Sequence, residues 1–364
     1  MTTPYAPIGP AEELADRLAR ASLGTLDLFS VYLGDRLGYY RSLAADGPAT
    51  SAELAGRTGT AERYAREWLE QQAVTAILTV DDAAAGAEER RFALPPAYAA
   101  VLVDPESPLT MAPTARLVAA LVRPLDQLVA AFRSGDGVPY AAYGEDMHAG
   151  QAGATRPDLT LRLAHEWLPA MPDVHARLSA EPPARVADIG VGQGWSSIAV
   201  ARAYPGVHVD GFDLDPASVA AADANASAAG IADRVTFQHR DAGDPELAGR
   251  YDLAMAIECV HDMSDPVGVL SAMRRLVGHG GPVLIIDERV AERFTAPGDE
   301  TERSMYGYSV LHCLPVGMAD QPSVATGTVM RESTLRRYAE EAGFGAVDVL
   351  PIPHDTYRFY RLTA

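Results

Sequence analysis

The segment Val186-Ala-Asp-Ile-Gly-Val-Gly-Gln-Gly194 leaves the chain around it few ways to fold. An apolar run enters it, three glycines alternate through it (Gly190, Gly192, Gly194), and Trp195-Ser-Ser-Ile-Ala-Val-Ala-Arg-Ala leaves it. That order predicts a buried strand, a turn and a helix. Glycine belongs where the backbone turns with φ > 0 and lies close to a ligand. In an open α/β sheet such a turn sits at the carboxyl end of a strand, where ligands bind.

Two kinds of ligand compete. A dinucleotide site has the spacing G-x-G-x-x-G. Here the spacing is G-x-G-x-G with Trp195 in the sixth position, which leaves less room for a pyrophosphate at the helix N-terminus. Asp188, two residues before the first glycine, suits a positive amino group. The next strand ends at Asp213, 19 residues after the last glycine, where a carboxylate accepts hydrogen bonds from ribose hydroxyls. An amino group, a ribose and no diphosphate describe S-adenosylmethionine. The competing view is an ordinary strand-to-helix turn with incidental glycines.

The downstream chain alternates in the same way. Residues 220–229 read as a helix closed by Gly230, and 235–239 as a short strand. Asp241, beside Ala242, is then positioned for the adenine amino group, and Leu214 and Ala242 join the expected cofactor set. Strand 253–257, a loop from Glu258 to Asp265, a helix from Pro266 and strand 283–287 follow. Alternation of this kind implies a parallel sheet.

Residues 184–289 resemble the class I S-adenosylmethionine-dependent methyltransferases, and the motif order extends over nearly all of 184–364. The resemblance implies a Rossmann-like α/β sheet that closes with an antiparallel hairpin, which 346–352 and 357–362 fit. The N-terminal half is similar to that of bacterial methyltransferases with a winged-helix dimerisation domain, which resemble small-molecule O-methyltransferases. In those enzymes a His just after the fourth strand, in a His-Asp-Trp-x-Asp segment, acts as general base. The segment here is His261-Asp262-Met263-Ser264-Asp265, with Met263 in place of Trp. The resemblance assigns the steering of that His to Glu288 at the end of the fifth strand. Asp287 is its rival, because a one-residue slip exchanges the two. The second steering Glu of that group has no secure counterpart, since Glu332 lies too close to Gly343-Phe344.

Length allows two domains, and the expected division is 1–105 (winged, dimerising), 106–182 (helical connector over the substrate) and 183–364 (cofactor-binding). A net charge of −19 argues against nucleic-acid or anionic-membrane partners. All 30 basic residues are arginines, which excludes Schiff-base chemistry on a lysine. Cys259 and Cys313 form no C-x-x-C pair, the histidines show no metal-ligand spacing, and no metal is expected. No signal-peptide pattern or membrane-spanning run is read in the chain, so a cytoplasmic setting is expected.

In the N-terminal region, 26–43 reads as an amphipathic helix. Thr50 or Ser51 caps the next one with Glu53 nearby, 60–72 forms a third, and 77–80 with 91–94 form a wing. Such a unit can read DNA. The helix carrying Arg63 and Arg66 also carries Glu62, Glu67 and Glu70, however, so dimerisation is the better reading. Prolines punctuate 95–182, and the helical pattern over 117–132 restarts at Pro124. Tyr143 in the connector, with Tyr306 and His312 in the insertion 289–329, are expected at the substrate, although packing would use similar residues. Glu258 either meets the cofactor or substrate edge or caps its turn. The whole describes methyl transfer to a small-molecule hydroxyl with His261 as base. Nitrogen, carbon or sulfur acceptors, a non-methylating use of the cofactor, and a ligand-sensing DNA-binding regulator are the alternatives.

Overall fold

The computed structural model describes residues 9–247 and 250–364. Its contacts divide the chain into two units, 1–119 and 120–364.

In the first unit a helix runs Pro10–Arg36, with the Glu12 carboxylate accepting the Gly9 N–H at 2.8 Å. The single helix expected over 26–43 is broken at Gly38. Its φ of +74° is left-handed, which glycine adopts without steric cost, and a second helix, Tyr39–Asp46, begins there. Thr50 caps the helix Ser51–Thr58: its hydroxyl accepts the Glu53 N–H while Glu53 accepts the Thr50 N–H. Helix Glu62–Val74 leads into the antiparallel pair β1 (Thr79–Val80) and β2 (Phe92–Ala93). The core is aromatic. Tyr39 and Tyr40 pack on Trp68 with ring centroids 4.7 and 5.1 Å apart, and the Trp68 indole N–H donates to the Ser30 carbonyl at 2.8 Å. Arg63 and Arg66 pair on their own helix with Glu67 and Glu62, at 2.5 and 2.7 Å, so little positive charge remains there for a phosphate backbone. One stripe of the first helix is uncovered. Leu23, Leu26, Leu33 and Leu37 are 61%, 62%, 48% and 41% exposed, and the first three line a groove with Val74.

The second unit is built on a seven-stranded sheet of β3 (Arg185–Ile189), β4 (His208–Asp213), β5 (Val235–His239), β6 (Leu253–Ile257), β7 (Val283–Glu288), β8 (Ala346–Val349) and β9 (Tyr357–Thr363). Its order is β5-β4-β3-β6-β7-β9-β8. β3 to β7 are parallel, and β9 runs antiparallel between β7 and β8. From β3 the chain proceeds outward to β4 and β5, then returns to β6 on the other side. A reversal of this kind opens a crevice at the carboxyl ends of the strands.

Helices cover both faces, so the central strands are apolar on both sides. Leu163, Trp167, Ile198, Met255, Ile286 and Phe359 pack on one face, and Ile189, Leu270, Met273, Ile285, Leu335 and Tyr338 on the other. Burying each large aliphatic side chain contributes about 1.5–3 kcal/mol. Pro124 precedes the helix Leu125–Ser134, where the pattern expected a restart. Helix Glu145–Asp158 contains Pro157, which has no N–H to donate, and continues as a π-helical segment, Leu159–Trp167. A second π-helical segment, Ser309–Cys313, follows the helix Glu300–Tyr308 in the insertion. Among the described residues no helix is long and apolar enough to cross a membrane.

Candidate active site

The glycine turn lies in the crevice. Gly190, Gly192 and Gly194 have φ of +67°, +52° and +81°, a region that side-chain-bearing residues adopt only at a cost. A Cβ on Gly190 would come 2.7 Å from the Cys259 sulfur, and one on Gly194 2.7 Å from the Phe237 ring. Nothing lies within 4 Å of a Cβ built on Gly192, so the turn faces open space at its middle glycine.

The two acids expected at a ligand both hold this turn. Asp188 is 1% exposed and accepts from the Ser196 and Ser197 hydroxyls, each at 2.6 Å. Both hydroxyls reach the same oxygen, Oδ2, at the start of the helix Trp195–Ala203, and burial pushes the pKa of the carboxyl up to about 6 despite those bonds. Asp213 accepts the Gly192 N–H at 2.8 Å and the Asp215 N–H at 2.9 Å. Leu214, beside it, is 62% exposed. Asp241 accepts the Gly243 N–H at 2.8 Å, and Ala242 is buried. Asp213, Leu214, Asp241 and Ala242 thus come from the ends of neighbouring strands β4 and β5.

His261 lies in a short turn after β6, 3% exposed. Its Nδ1 is 2.7 Å from Asp287 Oδ1, and its Nε2 lies 3.3 Å from Asp262 Oδ1. Burial disfavours the imidazolium, but the Asp287 and Asp262 carboxylates outweigh it and hold the pKa well above the ordinary histidine value. With Nδ1–H donating to Asp287, Nε2 carries the lone pair once the ring is deprotonated, which the raised pKa shifts to higher pH than for an ordinary histidine. The Gly327 N–H donates to the His261 carbonyl at 3.1 Å and fixes the turn.

The steering role expected of Glu288 falls geometrically to Asp287. Successive side chains of β7 point to opposite faces, so one residue decides which carboxylate meets the imidazole. Glu288 shares its face with Ile286. It is 7% exposed, and its Oε2 has no hydrogen-bond partner. Glu258 has a φ of +54°, unusual for a residue with a side chain. Its N–H donates to the Ile286 carbonyl at 2.8 Å, and its carboxyl bonds the Tyr357 hydroxyl. Removal from water pushes that carboxyl up to about 7, and the charges acting on it are His261, Asp287 and Asp158.

The expected substrate residues separate. Tyr143 is fully buried and donates its hydroxyl to the Leu311 carbonyl at 2.7 Å, so it anchors packing and presents no free polar group. Tyr306 is 39% exposed, its oxygen 3.3 Å from Arg331 Nη2. His312 is buried between Tyr140 and Tyr143, with ring centroids at 5.6 and 4.7 Å. Burial lowers its pKa, and its Nε2 has no partner. Cys313, delivered by the same π-helical segment, reaches the His261 ring. His261, Asp262 and Cys313 also bring one ligand-type atom each within 4.8 Å of one another, a grouping that spacing along the chain does not reveal. Sequence reasoning missed Tyr357 and Asp158, whose positions carry no motif.

Residues 186–281 match a family described as "Methyltransferase domain", and residues 24–104 one described as "Rv2258c-like winged HTH domain". Norajmaline N-methyltransferase of Rauvolfia serpentina is 32% identical over 34% of this chain and 41% of its own length. The chain spans less than half of the Rauvolfia relatives it matches. The ubiquinone biosynthesis O-methyltransferase of Aromatoleum aromaticum is 28% identical over 52% of this chain and 76% of its own. Among solved structures, mitomycin 7-O-methyltransferase aligns with a TM-score of 0.69 at 22% identity, over 98% of this chain and 99% of that one. Human N-acetylserotonin methyltransferase in complex with SAM aligns with a TM-score of 0.71 at 19% identity, over 100% and 99%. At these identities the structural likeness is one of fold.

The carboxylates around His261 carry a prediction. The imidazole, followed by NMR, titrates above pH 6.5, and Asp287→Asn moves its titration to lower pH because burial then acts with less opposition. A titration unmoved by Asp287→Asn would mean that the carboxylate does not hold the ring.

Proposed function

We propose that the chain, a class I S-adenosylmethionine-dependent methyltransferase with an N-terminal winged domain, methylates a hydroxyl of a small-molecule acceptor with His261 as general base. The observation that carries this reading is the 2.7 Å contact between His261 Nδ1 and Asp287, at the end of β6 and beside the glycine turn. A hydroxyl must lose its proton as it is methylated, and the imidazole takes it in its neutral form, so turnover is expected to rise with pH as His261 loses its proton.

The residues present fit the cofactor. The turn opens at Gly192, Asp213 offers a carboxylate to ribose hydroxyls, Leu214 offers an exposed apolar surface to a purine, and Asp241 offers an acceptor to its amino group. Asp188 acts through the turn that it holds. When bound, S-adenosylmethionine supplies a methyl group on a sulfonium sulfur. The chain's own part is to position the acceptor hydroxyl at Nε2, to receive its proton there, and to stabilise the resulting imidazolium with Asp287. Orientation of this kind supplies much of the acceleration of a displacement. His312 and Tyr306 remain candidates for the acceptor wall.

Residues 1–105 act in dimerisation. The support is the uncovered stripe Leu23, Leu26, Leu33 and Leu37, whose spacing presents one apolar face, together with the paired charges on Arg63 and Arg66.

Two outcomes are expected. His261→Ala lowers turnover by about a hundredfold or more while S-adenosylhomocysteine binding persists. Turnover equal to that of the native enzyme would remove His261 as base and leave other acceptor atoms open. In sedimentation, Leu26→Glu with Leu33→Glu yields a monomer from a native dimer. A dimer that survives both changes, or a native monomer, would reject the stripe as the interface.

A further inference from the structure

Two carboxyls stand at the ends of neighbouring strands with no arginine paired to either among the described residues. Glu258 follows β6 and Glu288 ends β7, one and two residues beyond the register partners Ile257 and Ile286. Tyr357, at the start of β9, is the register partner of Glu288 and bonds Glu258. Glu288 is 7% exposed, and its Oε2 is buried with no partner. A buried carboxyl oxygen without a hydrogen bond is costly, and native proteins retain one where it serves a purpose. Glu258 has a left-handed φ and donates its N–H to the Ile286 carbonyl, and its charge acts on Glu288.

The surroundings sharpen the point. The groups acting on this pair are Asp287 on β7, His261 and Asp262 from the turn after β6, Asp158 at the end of the connector helix, and the hydroxyls of Tyr357 and Tyr308. Apart from His261, each ionisable one is an acid. The neighbouring arginines are committed elsewhere. Arg289 donates to the His354 carbonyl at 2.7 Å, Arg358 to the Val290 carbonyl at 3.1 Å, and Arg162 pairs with Glu166 and Asp158 at 3.0 and 3.5 Å. Among the described residues, no arginine is seen paired with Glu258 or Glu288, and His261 is the one cationic group acting on them. His261 acts on both carboxyls, and both act on Tyr308 of the insertion helix, so the pair lies in the neighbourhood of the imidazole.

We propose that Glu258 and Glu288 form a subsite for a protonated amino group of the acceptor, so that the enzyme takes amine-bearing hydroxy compounds. This rests on the methyltransferase reading and names the substrate class of that site. A carbonyl group is the less favourable occupant, because its oxygen would face Asp287, Asp158 and Asp262. A cation draws both carboxyls into their ionised forms, and its binding therefore releases protons.

The experiment is calorimetry on the full chain with S-adenosylhomocysteine bound, using paired phenols that differ only in charge, such as tyramine against 4-propylphenol. Titrations in two buffers of different ionisation enthalpy report proton release. The amine is expected to bind at least about tenfold more tightly than its neutral partner, with proton release, and Glu288→Gln is expected to abolish both effects. In the absence of ligand, Glu288→Gln should raise the melting temperature, because it removes an acid from an uncompensated buried pair. A merely structural Glu288 would give the opposite shift. The inference falls if the neutral member binds as well, if neither member binds, if no proton is released, or if the preference survives in Glu288→Gln. It also falls if Glu288→Gln weakens S-adenosylhomocysteine, since the cofactor's own amino group would then be the occupant. Failure of the native protein to bind S-adenosylhomocysteine would instead overturn the methyltransferase reading on which the subsite depends.

Discussion

The site depends on a left-handed turn held at its middle and at its exit by carboxylates. Three glycines supply the backbone geometry, and Asp188 and Asp213 supply the bonds that keep it. Asp188 ties the turn to the first residues of the following helix through Ser196 and Ser197. Asp213 ties the middle of the turn to the end of β4 through the Gly192 N–H. Each is a charge-assisted bond in a partly or wholly buried place, worth more than a neutral one. Because the turn is fixed before any ligand arrives, less ordering cost falls on binding.

The imidazole depends on this frame indirectly. β6 lies next to β3, so the turn bearing His261 rises beside the glycines. Its orientation comes from β7, where strand alternation brings Asp287 into contact with the imidazole and leaves Glu288 near it but unbonded to it. That alternation produces two chemically different carboxyls one residue apart. One is paired and stabilises a positive ring. The other is buried among acids with an oxygen unbonded. The π-helical segment Ser309–Cys313 then widens a helical turn enough to deliver His312 and Cys313 to the same place, a use of π geometry common at functional sites.

Much of this was legible in the chain. The strand–turn–helix at 186–203, the Thr50 capping box, the wing, the restart at Pro124 and the position of His261 follow from local pattern, and local pattern is what a sequence records best. Three features were not legible. Gly38 breaks a helix that hydrophobic spacing alone would continue. The choice between Asp287 and Glu288 turns on one residue of register, which the apolar run 283–286 does not reveal because both faces are buried. Tyr143 carries a residue type suited to a ligand, yet in three dimensions its hydroxyl is spent on the Leu311 carbonyl, and Asp188 gives one of its two oxygens to Ser196 and Ser197. Composition cannot distinguish a polar group that serves the fold from one held free for a ligand. Only its partners do.

The central claim is that the braced turn is a cradle for S-adenosylmethionine. Its most direct test is calorimetric titration of S-adenosylmethionine into the native protein and into Asp213→Ala. The account predicts saturable binding at one site per chain, weakened at least about tenfold in the variant, where both the Gly192 brace and the ribose acceptor are lost; one charged hydrogen bond alone is worth about 1.5–3 kcal/mol. Absence of binding to the native protein, or equal binding in the two proteins, would contradict it.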